Sequence, residues 1–184
     1  MSKVEHPHVN QVLGALQIAD IQEIADFDVS GNWTVLNDDT ANLGNSNNHA
    51  TGKLSLEFDK VNGSSNGKIA MVHSTIVELD IRRFGPESRL FALVHISDIT
   101  KVKDAFIRLG TDSSNYNQWT FPDTGLTNGI WSPLDKKIHE SAVIVAGIGL
   151  NFAALKWVAV GVTLDSEADN LLDIQYDSLI LRMS

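Results

Sequence analysis

Ala105-Phe-Ile-Arg-Leu-Gly-Thr-Asp-Ser-Ser-Asn-Tyr-Asn-Gln-Trp-Thr-Phe121 decides the fold of this 184-residue chain. Ala105, Ile107 and Leu109 fall on one side of an extended backbone and Phe106 and Arg108 on the other. The run stops at Gly110 and the polar Thr111-Asp-Ser-Ser-Asn115, and a second extended segment resumes near Tyr116. The stretch therefore predicts two strands joined by a turn.

The same two-residue period recurs on both sides. Lys53-Leu-Ser-Leu-Glu-Phe-Asp59 places Leu54, Leu56 and Phe58 inward and Lys53, Ser55, Glu57 and Asp59 outward, a strand with one wet face. Lys68 to His73, Thr75 to Ile81, Arg89 to Ile96, Trp157 to Leu164 and Leu172 to Arg182 read as further strands, and Asn32 to Leu36 and Trp131 to Ile138 as weaker ones. Asn62-Gly-Ser-Ser-Asn-Gly67, Gly85-Pro86 and Pro122-Asp-Thr-Gly125 supply turns, and Asn37 to His49 reads as a long polar loop. Val143 to Leu150, with two glycines, fits a strand or a packed loop. Nine or ten strands at this spacing predict an all-β antiparallel sandwich.

Ahead of these strands the period changes. Val9, Val12, Leu13, Leu16, Ile21 and Ile24 recur at steps of three and four, as on an amphipathic helix. The sequence thus divides into an N-terminal helical arm, residues 1–26, and a sandwich, residues 27–184. The arm's apolar stripe lies on its own sandwich or on a partner.

Composition excludes several functions. A net charge of −9, with Arg82-Arg83 and Lys136-Lys137 as the only basic pairs noted, argues against nucleic-acid binding. Without cysteine there is no disulfide, thiolate zinc site or thiol nucleophile. The first residues lack an apolar signal-peptide core and no apolar run is long enough to cross a bilayer, so a soluble chain made in a cytoplasm is expected.

Ordered short patterns carry a resemblance. Asp26-Phe-Asp28, Gly31-Asn-Trp33, Gly52 to Phe58, Glu78-Leu-Asp80, Ile107 to Asp112 with Asn115 to Trp119, and Tyr176-Asp-Ser-Leu-Ile-Leu181 resemble the jelly-roll domains grouped as galactose-binding-like, which include carbohydrate-binding modules. The likeness spans about residues 27 to 182. Arg108 to Tyr116 also resembles jelly rolls of tailed-bacteriophage structural proteins. That resemblance implies a virion protein, a capsid decoration or cement protein that binds the major capsid protein as a homo-oligomer, plausibly a trimer. The arm residues Val9, Val12, Leu13, Leu16, Ile21 and Ile24 would then make the partner contact. The alternative is a carbohydrate-binding module recognising a host glycan.

For that alternative, Tyr116, Trp119 and Trp131 are the candidate stacking rings, with Asn115, Asn117 and Gln118 hydrogen-bonding sugar hydroxyls. Trp157, opening an apolar strand, reads as structural. No catalytic residues are assigned. The pairs Glu57/Asp59 and Glu78/Asp80 share strand faces, as solvated charge does, and no Gly-x-Ser-x-Gly elbow is present. His6 and His8 form at most a weak metal site, and His73 and His95 read as satisfied imidazoles within strands. In the resembling modules a structural calcium ties the first strand to the last, and Asp28 and Asp177 stand at the matching places. Two hydrogen-bonded surface acids are the competing reading.

Overall fold

The computed structural model describes residues 21–63 and 67–183. These form an antiparallel two-sheet β-sandwich with no helix longer than a single 3-10 turn. The strands are β1 (Ile21–Ala25), β2 (Thr34–Val35), β3 (Thr40–Ser46), β4 (Ser55–Lys60), β5 (Ile69–Leu79), β6 (Arg89–His95), β7 (Val102–Asp112), β8 (Asn115–Pro122), β9 (Ser132–Lys137), β10 (Ile144–Ala146), β11 (Leu155–Leu164) and β12 (Leu171–Arg182). The first sheet runs β3-β4-β12-β6-β9 with β1 on the far end of β12, and the second runs β10-β8-β7-β11-β5-β2.

The opening stretch folds as its alternation requires. Beta-strands β7 and β8 form a hairpin closed by Ser113-Ser114, with Asp112 opposite Asn115. The Asp112 carboxylate accepts from the Ser114 backbone N–H at 2.8 Å and from the Asn115 side chain, which fixes the turn. Ala105, Ile107, Leu109 and Trp119 point between the sheets, as do Val158, Val160 and Val162 of β11. From the first sheet Leu56, Phe58, Leu90, Ala92, Val94, Ile174 and Tyr176 meet them in one continuous core.

Tyr176 ties the layers together. It is wholly buried, and its hydroxyl donates across the interior to the Gly161 carbonyl of β11 at 2.6 Å. Burial drives its phenol well above the ordinary value, so the hydroxyl keeps its proton and stays a donor.

Three expectations change. Ile21–Ala25 is a strand paired with Leu179–Arg182, not the end of a helix. The three-residue step from Ile21 to Ile24 fits a helical stripe, but on a strand an odd step sends the two side chains to opposite faces. Ile24 turns into the core at 4% exposure while Ile21 stays at 56%. The remaining arm residues, Val9, Val12, Leu13 and Leu16, lie outside the described residues.

Secondly, the polar segment after Asn37 contains the edge strand β3, which a polar composition disguises; Asn42 sits there at φ 52 where the β3/β4 register shifts. Thirdly, the described residues form twelve strands: the segments Lys68 to His73 and Thr75 to Ile81 run together as the single strand β5, while β1, β3 and the three-residue β10 are added. Val143–Leu150 resolves into β10 followed by a turn through Gly147 and Gly149.

Tyr176→Phe keeps the ring and removes the cross-sheet hydrogen bond, leaving a buried carbonyl without its donor. It is expected to lower stability by about 1 to 3 kcal/mol, read as an earlier urea midpoint with unchanged slope.

Candidate functional site

Parity along β7 gives the second sheet two different faces. While Ala105, Ile107 and Leu109 fill the interior, Phe106 joins Met71, Trp157 and Ala159 in a separate apolar cluster on the outward face, with Ile69 and Tyr116 packed against it. Strand register then lines up Gln118, Arg108, Ala159, His73 and Thr34 in one row across five strands. The next row holds Tyr116, Gly110, Trp157 and Thr75.

Small residues let the larger ones lie flat. A Cβ on Gly161 would come within 2.7 Å of the Phe106 ring and 2.3 Å of the Ala70 carbonyl, so only glycine allows Phe106 to lie across β11. The Arg108 guanidinium lies over both Phe106, at 4.8 Å, and Tyr116, at 4.7 Å, and its Nε–H donates to Gln118 Oε1 at 2.7 Å. The tilted Tyr116–Trp157 pair stands 5.6 Å apart. The Trp157 indole N–H donates to His73 Nδ1 at 3.3 Å.

The charges on this face are unusual. Arg108 is 8% exposed and has no acidic partner among the described residues, and burial pushes its pKa down. Burial raises the Asp104 carboxyl, opposed by its hydrogen bond to Thr163, and Asp104 Oδ1 is buried with no partner. Burial lowers His73, consistent with an Nδ1 that stays unprotonated to accept from Trp157. Phe106 and Trp157 are buried, at 0% and 4% exposure, so the ring this face presents is the half-buried Tyr116, beside directed donors and acceptors that suit a polar, ring-shaped ligand.

The three rings expected to form one sugar platform do not converge. Tyr116 stands on this face. Trp119 is 1% exposed inside the sandwich, its indole N–H reaching the Glu140 carbonyl, because its position in β8 has the parity of Phe121 rather than of Tyr116. Trp131 is half-buried beside His95 of β6 in the other sheet, with ring centroids 5.6 Å apart. Of the amides, Gln118 points into the row, whereas Asn115 and Asn117 accept from the Ile148 and Leu150 backbones and hold the turn after β10. Trp157 is buried at 4% exposure and His73 is hydrogen-bonded to it, as the structural readings of both had it, whereas Arg108 drew no reading from the sequence. An arginine inside an otherwise apolar central strand was the available signal.

Asp28 and Asp177 do meet, lining one cavity of about 330 Å³ with Glu23, Asp26, Thr51 and Gly52. Among the described residues three of their four oxygens are already engaged. Asp177 accepts from the Ala50 and Thr51 backbones, both at 2.8 Å, and from the Thr51 hydroxyl, while Asp28 accepts from Lys53 and Leu54. The two acids hold the 50–54 turn from its opposite ends, and Gly52 at φ +64 passes 3.0 Å, from its absent Cβ, to Asp28 Oδ1. Calcium requires six to eight oxygen ligands, and carboxylates turned onto N–H donors do not form such a shell. Among the described residues no group of three acids or histidines is placed to hold a metal. These residues therefore do not fit the expected calcium. The Leu54 and Lys53 N–H groups instead hold the Asp28 carboxyl below its ordinary 3.8.

The carboxylate pairs are likewise occupied. Glu78 pairs with Lys156 at 2.7 Å and Asp80 with Arg82, Glu57 accepts from Gln175, and Asp59 from Asn42 and the Asp173 backbone.

No family model and no curated protein matches the chain. Solved structures do. The family 11 carbohydrate-binding module of Clostridium thermocellum, solved with a β-1,3-1,4-mixed-linked tetrasaccharide, superposes with a TM-score of 0.62 at 7% identity, covering 89% of this chain and 96% of that one. A family 30 carbohydrate-binding module gives 0.54 at 10% identity, covering 77% and 74%. An agarase gives 0.58 at 11% identity, and there the match covers 90% of this chain and only 25% of the enzyme. At these identities the likeness shows the fold: this is the jelly-roll-like β-sandwich of carbohydrate-binding modules.

Two outcomes follow. The thermal midpoint should be the same in calcium and in chelator. In NMR the His73 ring should titrate below its ordinary 6.5, with the Trp157 indole proton shifting alongside it. Because the folded value is depressed, the ring's contribution to stability is complete above 6.5 and is lost as pH falls from there through the folded pKa.

Proposed function

We propose that the chain is a non-catalytic carbohydrate-binding module that seats a glycan on the outward face of its second sheet. The observation that carries this reading is the half-buried Tyr116, backed by the buried Trp157 and standing beside the row of Gln118, Arg108 and His73. Sugar rings present C–H faces that pack on aromatic rings and a rim of hydroxyls that needs directed hydrogen-bond partners, and this face offers both. The shared fold of the family 11 and family 30 modules adds support, since the family 11 module was solved with a bound tetrasaccharide. The agarase match, confined to a quarter of that enzyme, agrees with a module that accompanies catalysis elsewhere.

The virion reading rests on the resemblance of Arg108 to Tyr116, its partner contact on an arm most of which lies outside the described residues, and none of the neighbours named above is a phage protein. A capsid partner and a trimer therefore have no supporting observation.

Isothermal titration with mixed-linked β-glucan, agar, xylan and uronate oligosaccharides tests the proposal. Tyr116→Ala is expected to weaken the responding ligand about tenfold, equivalent to about 1.4 kcal/mol, while Trp131→Ala leaves affinity unchanged. Trp119→Ala is expected to destabilise the fold by about 3 to 5 kcal/mol. Loss of affinity with Trp131→Ala but not Tyr116→Ala would move the site to the opposite sheet, and silence from every glycan would reject the function.

A further inference from the structure

Arg108 is an expensive residue in its position. Its side chain is 8% exposed in the middle of a central strand, and a cation removed from water is normally matched by a carboxylate. Here the hydrogen-bond partner is the neutral Gln118 and the guanidinium lies over the rings of Phe106 and Tyr116. Every ion pair found among the described residues leaves Arg108 out. The Nε edge is used, and among the described residues neither Nη nitrogen has an acceptor or counts as a buried unsatisfied atom. The guanidinium is thus fixed by two rings and one hydrogen bond, with its Nη donors unused among the described residues.

That geometry has a specific chemical complement. A guanidinium with a fixed plane offers two parallel N–H bonds, which match the two oxygens of a carboxylate better than the single oxygen of a hydroxyl. The stacked rings and Gln118 restrict rotation of the fork, so little side-chain freedom is left to lose on binding.

We infer that the glycan bound by this face is acidic, a uronate-bearing oligosaccharide whose carboxylate pairs with the Nη edge of Arg108 while a sugar ring packs beside Tyr116. This rests on the carbohydrate reading and names the class of sugar. The chain's net charge of −9 opposes a polyanion at long range, so the attraction is local. Charges farther apart than a Debye length of about 8 Å at physiological salt are screened, and the selective contact persists there.

The test uses the full chain and ligands differing at one group. Oligogalacturonate, oligoglucuronate and oligoalginate are titrated beside their carboxyl-methylated or carboxyl-reduced forms, with a mixed-linked β-glucan tetrasaccharide as the neutral reference. At least one acid form should bind about tenfold or more tightly than its neutral derivative in 0.15 M salt. Arg108→Lys, which keeps the charge and loses the planar fork, and Arg108→Gln should both shrink that ratio toward one, which a merely structural arginine would not do. Because the acid-to-neutral comparison is made on the unaltered protein, it stands even where a variant fails to fold. Equal or tighter binding of neutral forms overturns the acidic specificity and leaves the carbohydrate function intact. Binding of no oligosaccharide overturns both.

Discussion

The hydroxyl of Tyr176 reaching the Gly161 carbonyl at 2.6 Å is the contact on which both halves of this molecule depend. It fixes the first sheet against the second at the centre of the core. It also acts at the one residue of β11 over which Phe106 lies on the outward side. A side chain at Gly161 would collide with Phe106 and with the Ala70 backbone, so the same glycine serves the interior and the outward face. Core and candidate site are two sides of one strand.

Rigidity of the floor follows from that arrangement. Phe106 and Ala159 have no exposed surface, and β11 is hydrogen-bonded on both sides, by β7 and β5. Arg108 and Tyr116 are therefore carried by interior strands of a sheet instead of by its loops. The 50–54 turn, remote in sequence from β12, is held by backbone donors to Asp28 and Asp177, so carboxylates that might have served a metal serve the chain instead. Each acid fastens one end of the turn, which ties the chain just after β1 to the last strand.

Much of the fold was legible beforehand. The alternation in 105–109, 54–58 and 158–164 names the inward residues, and Ala105, Ile107, Leu109, Leu56, Phe58, Val158, Val160 and Val162 are indeed core. Beta-strand β1 was read as helical because Ile21 and Ile24 continue the three- and four-residue steps of the apolar residues before them, although on a strand that spacing puts one outward and one inward. Beta-strand β3 was read as loop because an edge strand needs few apolar residues. The rings were harder. Trp119 and Tyr116 sit three residues apart on one strand, and that odd separation sends them to opposite faces, one to the core and one to the site.

Sequence alone determined that the chain is an antiparallel β-sandwich, since a side chain's face is set by its parity along an extended backbone and needs no knowledge of neighbours. It also determined that Arg108 lies opposite the core residues of its own strand. Only the tertiary structure decided what Arg108 stands beside. Strand order brings Gln118, Ala159 and His73 into one row with it and sets Trp157 against Tyr116. Parity gives each strand two faces, but hydrogen-bonded register between distant segments chooses which residues share them.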